Sequence, residues 1–194
     1  MPSEPKDPER ELQILEATAA DLKNFLLSDS VYWQLAEPRG VRDRFPEGTL
    51  GSTLFRLDVL RKQSGLLSGP QQQRLDTVHQ KIDEALRRWA VQVEQKAARE
   101  IASRLRTWEN FLDEAHDSPS RHNGEYASQV GGRLVIDYLR SAAGSAYTSS
   151  HEQGIKTLDK RLGGIATRGD FVWSASLQSL FPEDQFPYLY IRLR

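Results

Sequence analysis

Cysteine is absent from the 194 residues, which excludes disulfides, thiolate catalysis, iron–sulfur clusters and thiolate zinc sites, and places the chain by expectation in a reducing cytoplasm. No apolar run approaches the roughly 20 residues a bilayer span needs, and no basic stretch followed by an apolar one opens the sequence, so neither a membrane span nor a signal peptide is expected. Charge of one sign is also missing. The 27 acidic and 26 basic side chains leave a formal charge of -1. The balance is nearly even along the chain: 11 acids to 9 bases over 1–66, 9 to 8 over 67–120, and 7 to 9 over 121–194. A dominant phosphate-binding field is therefore excluded, although a local patch is not. No GxGxxG or GxxxxGK string occurs, which removes support for the usual phosphate-cradling loops.

What is present is a helical packing code. Residues 1–6 read as a tail; Asp7 then stands at an N-cap position with Pro8 at the first helical position. Leu12, Leu15, Ala19, Leu22 and Leu26 recur at three or four residues and predict a helix over 8–28. Pro38 to Gly48 reads as a loop, and Leu54, Leu57 and Leu60 mark a second helix over about 50–63. Ser68 and Gln71 have capping-box spacing at the start of a third.

From Gln71 to Asp117 there is neither proline nor glycine, a run of 47 residues, about 70 Å if helical throughout. The apolar positions Leu75, Val78, Ile82, Leu86, Trp89, Val93, Ala97, Ile101, Leu105, Trp108, Leu112 and Ala115 take 11 steps over 40 residues. That period matches a straight helix in a bundle and departs from the 3.5 of a left-handed coiled coil. Residues 71–117 are expected to form one continuous helix or two collinear pieces joined near Ala97–Ala102, where the apolar face thins. A stripe this long exceeds what shorter neighbours cover, which predicts a homodimer.

Tyr126, Val130, Leu134, Tyr138 and Ala142 predict a fourth helix carrying Gly131 and Gly132 inside it as a close-packing feature or kink. Ser149 and Glu152 suggest a cap for a fifth, closed by Gly163 and Gly164. Beyond Pro187 the pattern alternates, with Leu189, Ile191 and Leu193 on one side, an edge-type strand over Tyr188–Leu193 expected to pair near Thr167–Trp173 or with the same element in another subunit. The expected fold is all-α: an elongated bundle of about five helices in one domain over 1–194. Helices 1 and 2 fall in 7–63, the long helix in 69–117, helices 4 and 5 in 125–163, and an aromatic cap with its strand in 165–194.

Few residues suggest chemistry. Asp76-x-x-His79 and Asp113-x-x-His116 resemble the half-sites of carboxylate-bridged dinuclear metal bundles, but they lie 37 residues apart on one expected helix, about 55 Å, and cannot converge within a subunit. A single divalent site is conceivable at Glu109, Asp113, His116 and His122 if the loop returns the last residue to the helix end. Arg74 and His79 form an arginine-apolar-x-x-x-histidine string that resembles the metal-independent ribonuclease motif of the HEPN helical family. That resemblance implies a dimer cleaving RNA with these two residues, although Leu75 stands where the family commonly has a polar residue. Lys156, Lys160 and Arg168, with Arg161, form a modest basic cluster suited to phosphate contact. Trp173, Phe186, Tyr188 and Tyr190 could cap the bundle or bind a protein partner. The reading is a non-enzymatic helical scaffold or protein-interaction module without cofactor. The alternatives are a HEPN-like ribonuclease and a nucleic-acid-binding accessory protein.

Overall fold

The structure, a computed structural model, describes residues 7–36 and 44–194; the expected tail at 1–6 and the part of the expected loop at 37–43 lie outside them. Helical residues make up 74% of what is described. The order is α1 (Pro8–Leu27), α2 (Leu50–Lys62), α3 (Gly69–Arg88), α4 (Ala90–His116), α5 (Asn123–Ala142), α6 (Ser149–Ile165), β1 (Ala166–Arg168), α7 (Ala175–Gln178) and β2 (Ile191–Leu193). None of these helices is long and apolar enough to cross a membrane. The chain forms two compact units, one holding the described residues up to Glu100 together with 138–146, the other holding 101–137 and 147–194.

In the first unit Asp7 caps α1 by accepting from the Glu9 amide at 3.0 Å, and Leu12, Leu15, Leu22 and Leu26 form its buried stripe. The chain then passes through Trp33, whose backbone exchanges hydrogen bonds with Gly48 and whose ring stacks on Phe25 with centroids 3.6 Å apart. A Cβ at Gly48 would stand 3.0 Å from that ring, so the close approach needs glycine. Thr49 and Ser52 then cap α2 reciprocally, each side chain accepting from the other's amide at 3.0 Å.

Two side chains one turn apart on α4 meet the ends of other helices. Lys96 Nζ donates to the backbone oxygens of Ser28 at 2.9 Å and Ser30 at 2.6 Å, just past the C-terminus of α1, and lies 4.0 Å from the Phe25 ring centre. Glu100 Oε2 accepts from the Gly51 amide at the N-terminus of α2 at 3.0 Å. A cation thus meets carbonyls at one helix end and a carboxylate meets amides at another, both in the sense that helix dipoles favour. Burial pulls the Lys96 pKa down to about 8, with the nearby Arg99 charge acting the same way. Elsewhere in this unit, Arg56 holds buried Glu11 at 2.7 Å, and burial nevertheless raises the Glu11 carboxyl above its ordinary range.

The long helical run is divided, and not where the alanines thin its face. Trp89 (φ -115°, ψ 37°) separates α3 from α4, although its amide still reaches the Ala85 carbonyl and its carbonyl accepts from Val93. The break uses no proline or glycine; Arg87 and Arg88 fill the last turn of α3, where cations suit a C-terminus. Most of the stripe is buried within this one chain, with Leu86, Trp89 and Leu105 only partly covered and Val91, beside Trp89, 62% exposed.

In the second unit β1 and β2 pair antiparallel in the register Ala166↔Leu193, Thr167↔Arg192 and Arg168↔Ile191, the partner strand beginning one residue before the expected region. Only Ile191–Leu193 is strand, because Pro187–Leu189 forms a 3-10 turn. Asn123 accepts from the Leu193 amide and donates to its carbonyl, both at 2.9 Å, so a side-chain amide substitutes for a third strand at this edge. The cap of α6 lies one residue earlier than expected: the His151 ring accepts from the Thr148 amide at 3.1 Å. Gly163 and Gly164 sit inside α6 and do not close it, while Gly131 and Gly132 are buried within α5.

Candidate functional site

Arg133 of α5 anchors the second unit's polar core. Its Nε and Nη2 donate to the two oxygens of Asp159 on α6, each at 2.8 Å, and Nη1 donates to Asp137 at 2.9 Å. Tyr188 completes the cluster by donating to the other Asp137 oxygen at 2.5 Å, with its ring centre 4.6 Å from the guanidinium carbon. Tyr126 fixes the backbone beneath by donating to the Tyr188 carbonyl at 2.6 Å. Burial favours deprotonating Arg133, but the Asp159 hydrogen bonds and the Asp137 charge outweigh it and hold the guanidinium above its ordinary pKa. Burial first and the Asp137 charge second push the Tyr188 phenol well up, so it acts as a donor.

Asp159 also lines a cleft of about 400 Å³. The C-terminal part of α6 supplies Leu162 and Gly163, β1 supplies Ala166, Thr167 and Arg168, and the returning chain supplies Glu183, Pro187, Tyr188, Tyr190 and Ile191. Arg168 donates to Glu183 at 2.8 Å on the exposed rim, so those two charges offset each other. The network and the cleft share Asp159 and Tyr188, and the sequence reading overlooked Arg133, Asp137 and Asp159. The available signal was a lone arginine inside the apolar run Val130–Ile136, with an aspartate four residues on.

The residues singled out from sequence are placed differently. Arg74 clamps α3 to α1, donating to Glu16 through Nε at 2.8 Å and Nη2 at 2.7 Å and to Glu9 through Nη1 at 2.8 Å. The Glu16 and then the Glu9 hydrogen bonds raise its pKa further. His79 instead faces Asp83, with Nε2 3.4 Å from the carboxylate. Glu109 and Asp113 both pair with Arg161, His116 is exposed, and His122 packs edge-on against Phe111 with centroids 6.1 Å apart. The conceived four-residue metal site is therefore not assembled, and among the described residues no group of three or more His, Asp or Glu is placed to hold a metal ion.

Lys156 pairs with Glu152 at 3.3 Å, so with Arg161 and Arg168 also paired, the basic cluster is largely neutralised. Exposed Lys160 remains. The aromatic segment is a cap: Trp173, Tyr188 and Tyr190 are buried, and Phe186 is partly so. Each polar tip is satisfied internally, Trp173 Nε1 donating to the Ala127 carbonyl and Tyr190 to the Phe181 carbonyl, both at 2.8 Å. Rings from Phe171 to Tyr188 meet edge-to-face in succession, at 6.3, 5.7, 5.4 and 6.3 Å. Of these four residues, Tyr188 and Tyr190 also line the cleft. Comparison with protein-family models, with curated proteins and with solved structures returned no match to this chain.

Proposed function

We propose that the chain is a non-enzymatic helical scaffold or protein-interaction module that works in the cytoplasm as a homodimer. The observation that carries this reading is the use made of Arg74. A ribonuclease arginine must turn its guanidinium toward phosphate, whereas Arg74 directs Nε, Nη1 and Nη2 to Glu9 and Glu16 and ties two helices together. The pairing of Lys156, Arg161 and Arg168 with carboxylates supports the same reading, because it leaves little unbalanced positive charge to neutralise phosphates. The lack of cysteine favours the cytoplasmic setting. Partly covered Leu86 and Trp89 beside exposed Val91 are the apolar positions from which self-association draws support.

Both nucleic-acid alternatives require phosphate binding, and that is directly measurable. Fluorescence anisotropy of a labelled mixed oligonucleotide pool, titrated with the full chain at about 50 and about 200 mM salt, is expected to show no salt-dependent binding. Affinity that falls steeply between those salt concentrations would favour the nucleic-acid readings over the scaffold.

A further inference from the structure

The cleft beside Arg133 has the dimensions and the charge of a ligand site. Its volume of about 400 Å³ lies within the range of about 300–1,000 Å³ usual for small-molecule pockets. Leu162, Pro187 and Ile191 give it apolar walls. Tyr188 and Tyr190 also line it, and their hydroxyls are already bound to Asp137 and to the Phe181 carbonyl, so what remains for a ligand is the aromatic ring.

The charges are unequal. Arg168 and Glu183 offset one another at the rim, whereas one cation, Arg133, serves two carboxylates, Asp137 and Asp159. Arg133, Asp137 and Asp159 together carry one negative charge, and Asp159 is the one of the three that lines the cleft, its side chain 38% exposed; the Arg194 guanidinium nearby is engaged at the Ala166 carbonyl, 3.2 Å from Nε. Each Asp159 oxygen accepts one hydrogen bond from Arg133 and retains capacity for another.

We infer that this cleft binds a small organic monocation, a protonated amine carried on an apolar body. The ammonium donates to Asp159, and the body lies against Leu162, Pro187 and Ile191. An anion of the same shape meets the surplus carboxylate and is rejected. Selectivity thus follows from the sign of the charge, with shape held constant.

The test uses the ¹⁵N-labelled full chain titrated with phenethylamine or with 3-phenylpropionate, each to about 10 mM. Saturable amide shifts at Gly163, Thr167, Arg168 and Ile191 are expected with the amine, and affinity at least about tenfold lower with the carboxylate. Asp159→Asn is expected to weaken the amine at least about tenfold. Because that variant also disturbs Arg133, Gly163→Trp provides a second arm that keeps every charged member of the network: Gly163 lines the cleft, and a Cβ there meets nothing within 4 Å. It is expected to abolish the shifts while the rest of the spectrum stays folded. Equal affinity for the carboxylate, shifts centred elsewhere, unchanged binding by Gly163→Trp, or no saturable shift overturns the assignment. So does an affinity about tenfold higher for N-acetyl-lysyl-phenylalanine amide, which would make the cleft a seat for a partner's basic side chain.

Discussion

Arg133→Met lowers the unfolding free energy by about 3 kcal/mol, the lower end of the range for breaking a buried ion pair. The substitution keeps much of the side-chain volume and removes the cation that faces both Asp137 and Asp159. Their side chains are 24% and 38% exposed, so water takes up part of the uncompensated charge and the loss stays below that of a fully buried pair. Arg133→Lys recovers only part of it, because one ammonium cannot reproduce the two-pronged contact with Asp159 while also reaching Asp137. Urea unfolding measures the effect: the midpoint falls in Arg133→Met and falls less in Arg133→Lys, with little change in slope. Equal midpoints for wild type and Arg133→Met would show that the network does not hold the second unit together.

Trp108→Ala costs about 3–5 kcal/mol, the range for removing a large aromatic from a core. Trp108 is 2% exposed, stacks against Phe111 with centroids 5.3 Å apart, and lies 6.1 Å from Tyr126. Its indole nitrogen is buried without a hydrogen-bond partner among the described residues, which distinguishes it from Trp173. An unsatisfied buried donor carries a penalty of about 1–3 kcal/mol. Trp108→Phe removes that donor while keeping a ring on Phe111, so its loss is expected below about 1.5 kcal/mol. Thermal and urea unfolding of the two variants check the pair; a phenylalanine variant as damaged as the alanine one would contradict the account of this ring.

What was legible in the sequence is what depends on near neighbours. Asp7 and Pro8 start α1, the three-and-four spacing of its leucines names the buried face, and the alternation after Pro187 marks the segment that holds β2. These signals are local, since caps and side-chain periodicity are properties of consecutive residues. The break at Trp89 has no such marker: its neighbours are good helix formers, and only the paired arginines before it hint at a helix end.

Polar residues with distant partners were harder still. Lys96 and Glu100 have the spacing of a surface ion pair, yet they reach the ends of α1 and α2 some 66–68 and 49 residues away. Arg74 lies outside the apolar stripe and reads as a surface side chain, until the fold brings Glu9 and Glu16 to it from 65 and 58 residues away. Arg133 depends on Asp159, 26 residues on, and so the cleft depended on a pairing that no window of sequence contains.

Arg74 resembles a catalytic group yet ties α3 to α1, and an RNA cleavage assay decides between the two roles. Purified wild type and His79→Ala from matched preparations are incubated without metal on single-stranded and structured RNA, and products are followed over time. Neither protein is expected to cleave above the background common to both, because His79 faces Asp83 and Arg74 is bound to Glu9 and Glu16. Any trace of contaminating nuclease survives the substitution and is recognised by its equality in the two samples. Cleavage present in wild type and absent from a normally folded His79→Ala protein would contradict the account and make the chain a ribonuclease.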